Sequence, residues 1–401
     1  MIKVPVRSIV GAIDAAAARW QDRTFQPRIR ARDGVAVRTG YSLAGVDYAF
    51  DRLFGELRRN AVESVIRDEL GALDVLDGFA AREGRPKSRA LPLGRICIVS
   101  SRTTIGVAVL PAIFALCAKC DVLVKDREDH LVGDFFSTLC VELPELAGFA
   151  SAQAWSREND DVKLSGYDAV VAFGDDETLA TIASTLPATV RFIAYGSKAS
   201  AGYITREALC SEAAARQIAR DAALDLSLYE AEGCLSLHVL FAENRGTIAV
   251  ERFVELLADA MRDIAADIPP ARPNVRTSAR RASARELATF RSNEAAYPKT
   301  AAGYLAILNP PFEEPPLFLP QTIAVRAVDD STCAAEYFER HRITLEALAV
   351  TAARDDLLEL AARCRVARVA PFGRLQAPPI GAFHGGRPRI AEFVRWIGDE
   401  T

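Results

Sequence analysis

The chain has 401 residues, half of them hydrophobic and a quarter charged, with a formal net charge of -4. This is ordinary globular composition with material for two or three domains, and its slight acidity leaves no field to draw nucleic acid or an anionic membrane surface. Charge breaks up the first 23 residues too early for a signal-peptide core and no uncharged apolar run could span a bilayer, so a cytoplasmic protein without membrane insertion is expected.

Residues 1–90 read as a helical lead-in, with helix-like apolar spacing from Val46 to Glu83 that ends in a loop at Glu83–Ser88. Gly94–Ser100 reads as a buried strand, Gly106–Lys119 as an apolar helix and Asp121–Lys125 as a second strand, which implies a parallel crossover. The pattern recurs with a strand at Tyr167–Phe173, the turn Gly174-Asp175-Asp176, a helix over Glu177–Thr185 and a strand at Val190–Tyr195. Such alternation predicts an α/β fold with a doubly wound parallel sheet, whose loops at the carboxyl ends of the strands receive a nucleotide.

Past Arg206, helices at Ser211–Leu224, Val250–Ile268 and Asp355–Arg363 surround the segment Leu228–Phe241 and a Pro-rich run at Asn309–Pro320, and predict a second α/β domain. The expected division is 1–90 as a helical segment packing on the nucleotide domain, 91–205 as that domain, 206–372 as the second domain and 373–401 as a segment returning to the first. The eight cysteines are scattered, so a reducing compartment makes most of them small buried hydrophobes. Cys117 and Cys120 have redox or half-zinc spacing, but no second pair or neighbouring histidine completes a metal site, and none is expected.

Four segments gain meaning from their order. Ser100–Asp129 ends a loop, helix and strand on Lys125 and Glu128; Tyr167–Ala183 carries Gly174 between strand and helix; Arg191–Ile204 contains Gly196-Ser197-Lys198; and Leu228–Phe241 puts Cys234 in a Gly-Cys-Leu-Ser turn before an apolar strand. The succession resembles the aldehyde dehydrogenase superfamily. That resemblance implies Lys125 and Glu128, on its Lys-x-x-Glu positions, as contacts of the adenosine ribose, with Arg127 favouring a 2′-phosphate. It implies Gly174 at the turn beneath the diphosphate, and Gly196 and Ser197, on the last positions of its Glu-Leu-Gly-Gly-Lys element, as further cofactor contacts. Its cysteine nucleophile maps onto Cys234, which forms a thioester or thiohemiacetal while nearby amides stabilise the oxyanion.

Gly233-Cys234-Leu235-Ser236 and the upstream Gly-Ser-Lys element further resemble the LuxC family of acyl-CoA reductases. Ala194 stands where the superfamily's water-activating glutamate would be, which argues against aldehyde-to-acid chemistry. In Pro315–Asp330, Phe318 and Pro320 match the Glu-x-Phe-Gly-Pro element, which implies Phe318 as a cofactor contact, but Pro316 replaces its glutamate and Leu319 its glycine, so the nicotinamide ribose is anchored differently or by Glu313 or Glu314. Thr103 and Thr104 lie near the position of the oxyanion-binding asparagine, Phe372 falls in a late Pro-Phe-Gly loop, and His384 is the histidine expected to contact the site. His238 reads as a packed core histidine. The run Arg276–Arg281 reads either as a grip on coenzyme A phosphate or as a solvated face.

The resemblance implies NAD(P)H-dependent reduction of an acyl thioester, acyl-CoA or acyl-carrier protein, to an aldehyde, with NADPH as cofactor, NADH as the alternative, and a homo-oligomer. The alternatives are an acyl-phosphate reductase resembling glutamate-5-semialdehyde dehydrogenase, and a non-catalytic paralogue.

Overall fold

The computed structural model describes residues 2–102, 104–127, 130–156 and 163–401. It divides into two compact units, one of residues 1–39, 46–197 and 379–401, the other of 40–45 and 198–378. Thr103 and Glu128 lie outside the described residues.

The first unit holds an all-parallel five-stranded sheet in the order Ala150–Gln153, Asp121–Lys125, Arg95–Val99, Ala169–Phe173, Arg191–Tyr195. Its central strands are continuous runs of Val, Ile, Ala and Cys, as strands covered on both faces require. Helix Val109–Cys117 is apolar on every side and almost wholly buried. Among the N-terminal helices, Trp20 is fully buried against the rings of Phe50, Phe54 and Phe135, and its indole N–H donates to Thr138 Oγ1 at 3.1 Å. The Glu69 carboxylate accepts the main-chain amides of Arg389, Ile390 and Ala391, which pins the C-terminal segment to this unit.

Two details depart from the sequence reading. The apolar spacing from Val46 to Glu83 is not one helix: helices Leu43–Glu56 and Arg59–Leu70 are separate, and the second ends at Gly71 with φ +86. The stretch expected as a loop at Glu83–Ser88 belongs to a β-hairpin, Ala80–Arg82 with Arg85–Pro92, turning at Glu83-Gly84 and extended by Val394–Gly398. Its first residues are exposed, so polar side chains that read as a loop serve equally on a solvated strand. Cys117 and Cys120 are both buried, with burial pushing the Cys117 thiol far up and Cys120 up to about 11, as inert packing groups. No helix among the described residues is long and apolar enough to cross a membrane.

The second unit holds a seven-stranded sheet in the order Ala295–Tyr297, Leu305–Leu308, Thr322–Val328, Leu237–Glu243, Ala199–Ile204, Leu345–Val350, Arg368–Pro371, antiparallel only between the first two. One face packs on helices Glu212–Ser227 and Val250–Asp267 through residues such as Ala219, Phe253 and Leu257. The other packs on helices Ser331–Arg340 and Asp355–Arg363 through Tyr337, Phe338 and Leu360.

At the carboxyl end of Leu237–Glu243, the buried Glu243 carboxylate accepts bonds from Tyr203 Oη at 2.9 Å, Arg206 Nε at 2.9 Å and Arg354 Nη2 at 2.7 Å. Burial alone would raise this carboxyl, but the bonds from Arg354 and Arg206 outweigh it and hold it at about 2. A folded-state value below the ordinary 4.5 contributes stability that is present above pH 4.5 and lost as pH falls from 4.5 toward 2. Allowing for the part-exposed arginines, Glu243→Gln is expected to lower unfolding stability by about 2 to 3 kcal/mol at pH 7. In urea titrations the difference from wild type should shrink toward pH 3.

Candidate active site

Cys234 lies at the amino-terminal edge of the seven-stranded sheet, three residues before strand Leu237–Glu243. The chain reaches it through three successive left-handed residues, Tyr229 (φ 57), Glu230 (φ 50) and Ala231 (φ 60), none of them glycine. Each carries a steric penalty of roughly 1 to 2 kcal/mol, so surrounding contacts must hold the turn. Tyr41 Oη donates to Tyr229 O at 3.2 Å, the Ala271 amide donates to Glu230 Oε1 at 3.0 Å, and Gln321 Nε2 reaches both carboxylate oxygens of Glu230 at 3.4 Å. His238 Nε2 lies 3.0 Å from Ala231 O. A carbonyl only accepts, so that nitrogen carries the proton. Burial lowers the His238 pKa, and the ring is neutral.

The strands beside Cys234 are irregular at the same level. Leu345 pairs with Ala199 and Ala347 with Ser200, leaving Glu346 as an extra residue; Ser200 pairs with Leu237 and Ala201 with Val239, leaving His238 as an extra residue. Such bulges re-aim side chains. Between them the Ser200 hydroxyl donates to Cys234 O at 2.8 Å and accepts the Ala347 amide at 3.2 Å. Glu346, with only 2% of its side chain exposed, pairs with Lys198 Nζ at 2.8 Å. Burial pushes the Cys234 thiol up to about 12; the Glu346 charge adds to that rise and Lys198 opposes it. The resting Cys234 side chain is therefore a thiol rather than a thiolate.

Asp225 sits at the end of helix Glu212–Ser227 and accepts the amides of Gly373 and Leu375, fixing the turn that carries Phe372. Burial raises its carboxyl to about 7 against the pull of those amides. Gly202 has no room for a Cβ, which would stand 2.6 Å from the Phe372 ring, so Phe372 is packed on the strand rather than free to wall an opening. Phe318 is half exposed, with its ring 4.9 Å from that of His238. Near Pro316, Glu314 is paired with Arg291 at 2.8 Å, whereas Glu313 is exposed. Of the basic run, Arg281 is buried on the carbonyls of Gly303 and Pro320, a structural role, and Arg276 is exposed.

In the first unit, the carboxyl edge of the five-stranded sheet gathers Lys125, Gly174, Gly196, Ser197 and His384. Lys125 ends its strand buried, with Nζ 5.2 Å from the ring centre of Trp155. His384 stacks on Tyr195 at 4.5 Å, and Tyr195 stacks on Phe173 at 4.8 Å. The turn expected to lie beneath a diphosphate is filled by its own acids. Gly174 N–H donates to Tyr195 O, Asp175 caps the helix through Thr178 N–H at 2.7 Å, and Asp176 Oδ1 accepts Ser197 N–H at 3.0 Å. A Cβ on Gly196 would stand 2.6 Å from that oxygen. With Glu177 in the same turn, a diphosphate there would meet three carboxylates instead of open amides, so the lysine and aromatic groups fit a nucleoside better than this turn fits its phosphates. Thr104 donates its amide to Ser101 Oγ at 3.5 Å, in the loop before helix Val109–Cys117.

Sequence reasoning passed over Glu346, Trp155, Gln321 and the left-handed turn. Only Glu346 left a signal, as a lone acid inside the otherwise apolar run Leu345–Val350.

The chain matches the family model for acyl-CoA reductase (LuxC) over residues 1–396. No curated protein matches it in sequence. Its fold is that of the aldehyde dehydrogenases. Aldehyde dehydrogenase 21 from Physcomitrella patens, solved with the reaction product succinate, superposes at TM-score 0.73 with 12% identity, covering 99% of this chain and 86% of that one. An NAD-dependent benzaldehyde dehydrogenase from Corynebacterium glutamicum gives 0.71, 14%, 100% and 87%. A 1-pyrroline-5-carboxylate dehydrogenase from Thermus with bound NAD gives 0.68, 12%, 99% and 81%. Family and fold together make the protein an oxidoreductase.

The protonated state of Cys234 predicts sluggish alkylation. At pH 7.5 iodoacetamide should modify the exposed Cys210 well before Cys234, as read by peptide mass spectrometry. The Cys234 rate should rise about tenfold per pH unit up to pH 10. Faster labelling of Cys234 than Cys210 at pH 7.5 would contradict the thiol state.

Proposed function

The chain belongs to the LuxC family of acyl-CoA reductases, and on that premise we propose that it reduces an acyl thioester, carried by coenzyme A or an acyl-carrier protein, to the aldehyde through an acyl-Cys234 intermediate. The observation that carries this reading is the placement of Cys234, on a braced turn beside a buried ion pair, with alanine at the position of the superfamily's water-activating glutamate.

Cys234 Sγ attacks the thioester carbon and the carrier thiol leaves, so the acyl group moves from one sulfur to another at little change in bond energy. The Ser200 hydroxyl, bridging Cys234 O and the Ala347 amide, keeps the nucleophile's main chain in register with the sheet during attack. Ala194 has no group to activate water, which leaves the acyl-enzyme intact until reduction. Lys125, with Trp155 at its side, holds the nucleoside of a nicotinamide dinucleotide, and the stack of His384 on Tyr195 borders it. When bound, the reduced nicotinamide supplies hydride to the acyl carbon. The resulting tetrahedral adduct on Cys234 then expels the sulfur as the aldehyde leaves. NADPH is the cofactor favoured in this reading, because Arg127 follows Lys125 closely, with NADH as the alternative.

A panel of acyl-CoA esters of rising chain length, followed by oxidation of NADPH and of NADH, tests the reading. Turnover is expected, and Cys234→Ala should reduce it by at least about 10³-fold while still binding the cofactor. Binding itself should quench Trp155, and Lys125→Met should weaken it roughly tenfold. Reduction of an acyl phosphate in preference to every thioester would move the assignment to an acyl-phosphate reductase; neither turnover nor cofactor binding would make the chain a non-catalytic relative.

A further inference from the structure

Positive charge is unevenly placed along this chain. Between Arg272 and Lys299 there are seven cations against two acids, on a chain whose net charge is -4. Four of the arginines stand on helix Val275–Phe290, whose one acid is Glu286 and whose first turn is capped by Asn274 accepting the Thr277 amide at 2.8 Å. Two of the four brace the fold: Arg281 is buried on the carbonyls of Gly303 and Pro320, and Arg285 donates to those of Pro298 and Tyr304. Arg276 and Arg280 are exposed, as is Arg272 just before the helix. Arg280 donates to Leu317 O at 3.1 Å, and none of these three arginines is in an ion pair among the described residues.

Arg276, Arg280, Ser283, Leu287 and Phe290 follow one another at intervals of four and three, so they form a single stripe along the helix. All five are exposed, Phe290 to 91%. One apolar side chain in water needs no explanation, but arginine and an aromatic group sharing one helix face have the composition of a protein interface. Beside the stripe lies a cleft of about 220 Å³, lined by Arg280, Ser283, Leu287, Ile307, Leu317 and Leu319, with room for an apolar side chain of a partner. The basic end begins next to the turn that bears Cys234, because the Ala271 amide, immediately before Arg272, donates to Glu230 Oε1 at 3.0 Å.

We propose that this stripe, with Arg272 at its foot, docks an acidic carrier protein that presents its acyl thioester to Cys234. Charge complementarity selects the partner. Arg276 and Arg280 stand one turn apart, about 6 Å along the axis, and such a row suits carboxylates repeated along a partner's helix. A grip on the clustered phosphates of coenzyme A calls instead for cations that converge, and the next arginines in the run, Arg281 and Arg285, are committed to main-chain carbonyls. The inference rests on the thioester reading and chooses between the two carriers which that reading leaves open.

The test loads one acyl group, dodecanoyl, on an acyl-carrier protein and on coenzyme A, and follows oxidation of the reduced cofactor by the full-length protein with each. Charge reversal at two exposed positions, Arg276→Glu with Arg280→Glu, should raise KM for the carrier-protein thioester by about tenfold or more with kcat little changed. Turnover of dodecanoyl-CoA should stay within about twofold of wild type, which also shows that the variant is folded. For the wild type, added salt should lower kcat/KM with the carrier protein steeply, and the variant should lose most of that dependence. Phe290→Ser should likewise weaken the carrier protein alone. An unchanged KM for the carrier-protein thioester in the double variant, or an equal loss with coenzyme A, would overturn the docking surface, the second result assigning the arginines to phosphate. Turnover of acyl-CoA but of no carrier-protein thioester would also overturn it and leave the thioester reading standing, whereas turnover of neither would sink the reading on which it rests.

Discussion

The second unit is organised around the left-handed turn at Tyr229–Ala231. Three non-glycine residues in that conformation place a penalty of roughly 3 to 6 kcal/mol on a single loop. Its braces come from scattered parts of the chain: Tyr41, Ala271, Gln321 at the start of a strand, and His238 on the strand that follows Cys234. Relaxation of the turn would have to break buried hydrogen bonds, including those of the buried Glu230 carboxylate. Cys234 is thereby held in place although it sits in a loop, and strain of this kind concentrates at sites where a side chain must be aimed.

Two bulges extend the same arrangement into the sheet. A regular parallel sheet would alternate side chains without interruption from Leu345 to Val350 and from Leu237 to Glu243. Instead Leu345 and Ala347 face opposite cores across Glu346, and Leu237 and Val239 face opposite cores across His238. The extra residue in each strand lets one polar side chain leave the apolar alternation at the level of Ser200. One result is a neutral histidine behind the turn and a charged pair beside the thiol, both within a sheet whose remaining side chains are overwhelmingly apolar.

This explains what the sequence discloses. The parallel core of the first unit was legible because runs such as Arg95–Val99 and Ala169–Phe173 are apolar, short and bounded by turn residues. Cys234 stood out because glycine precedes it and a strand follows. The hairpin at Ala80–Pro92 was hidden because Arg85, Pro86 and Lys87 on a solvated strand look like a loop. Glu346 and His238 were hidden for a different reason: a bulge is a property of pairing between strands far apart in sequence, and no local pattern records register. Pairing of Lys198 with a residue 148 positions away is likewise invisible in one dimension.

The carboxyl edge of the first unit's sheet shows that inherited topology and local chemistry can separate. A helix that starts just past a parallel strand presents amides and a positive dipole end, which suits a phosphate. Here Asp175, Asp176 and Glu177 occupy that start; Asp175 caps it and Asp176 accepts the Ser197 amide. Asp175 and Asp176 each satisfy an amide that an anion would otherwise use, and all three carboxylates add like charge against it. The sheet therefore offers a nucleotide its cation and rings, Lys125 beside Trp155 and the stack of His384, Tyr195 and Phe173, more readily than its helix terminus. On the cofactor reading proposed above, recognition weighted toward the nucleoside would depend on aromatic contact and on the buried Lys125, both less sensitive to salt than an open phosphate site.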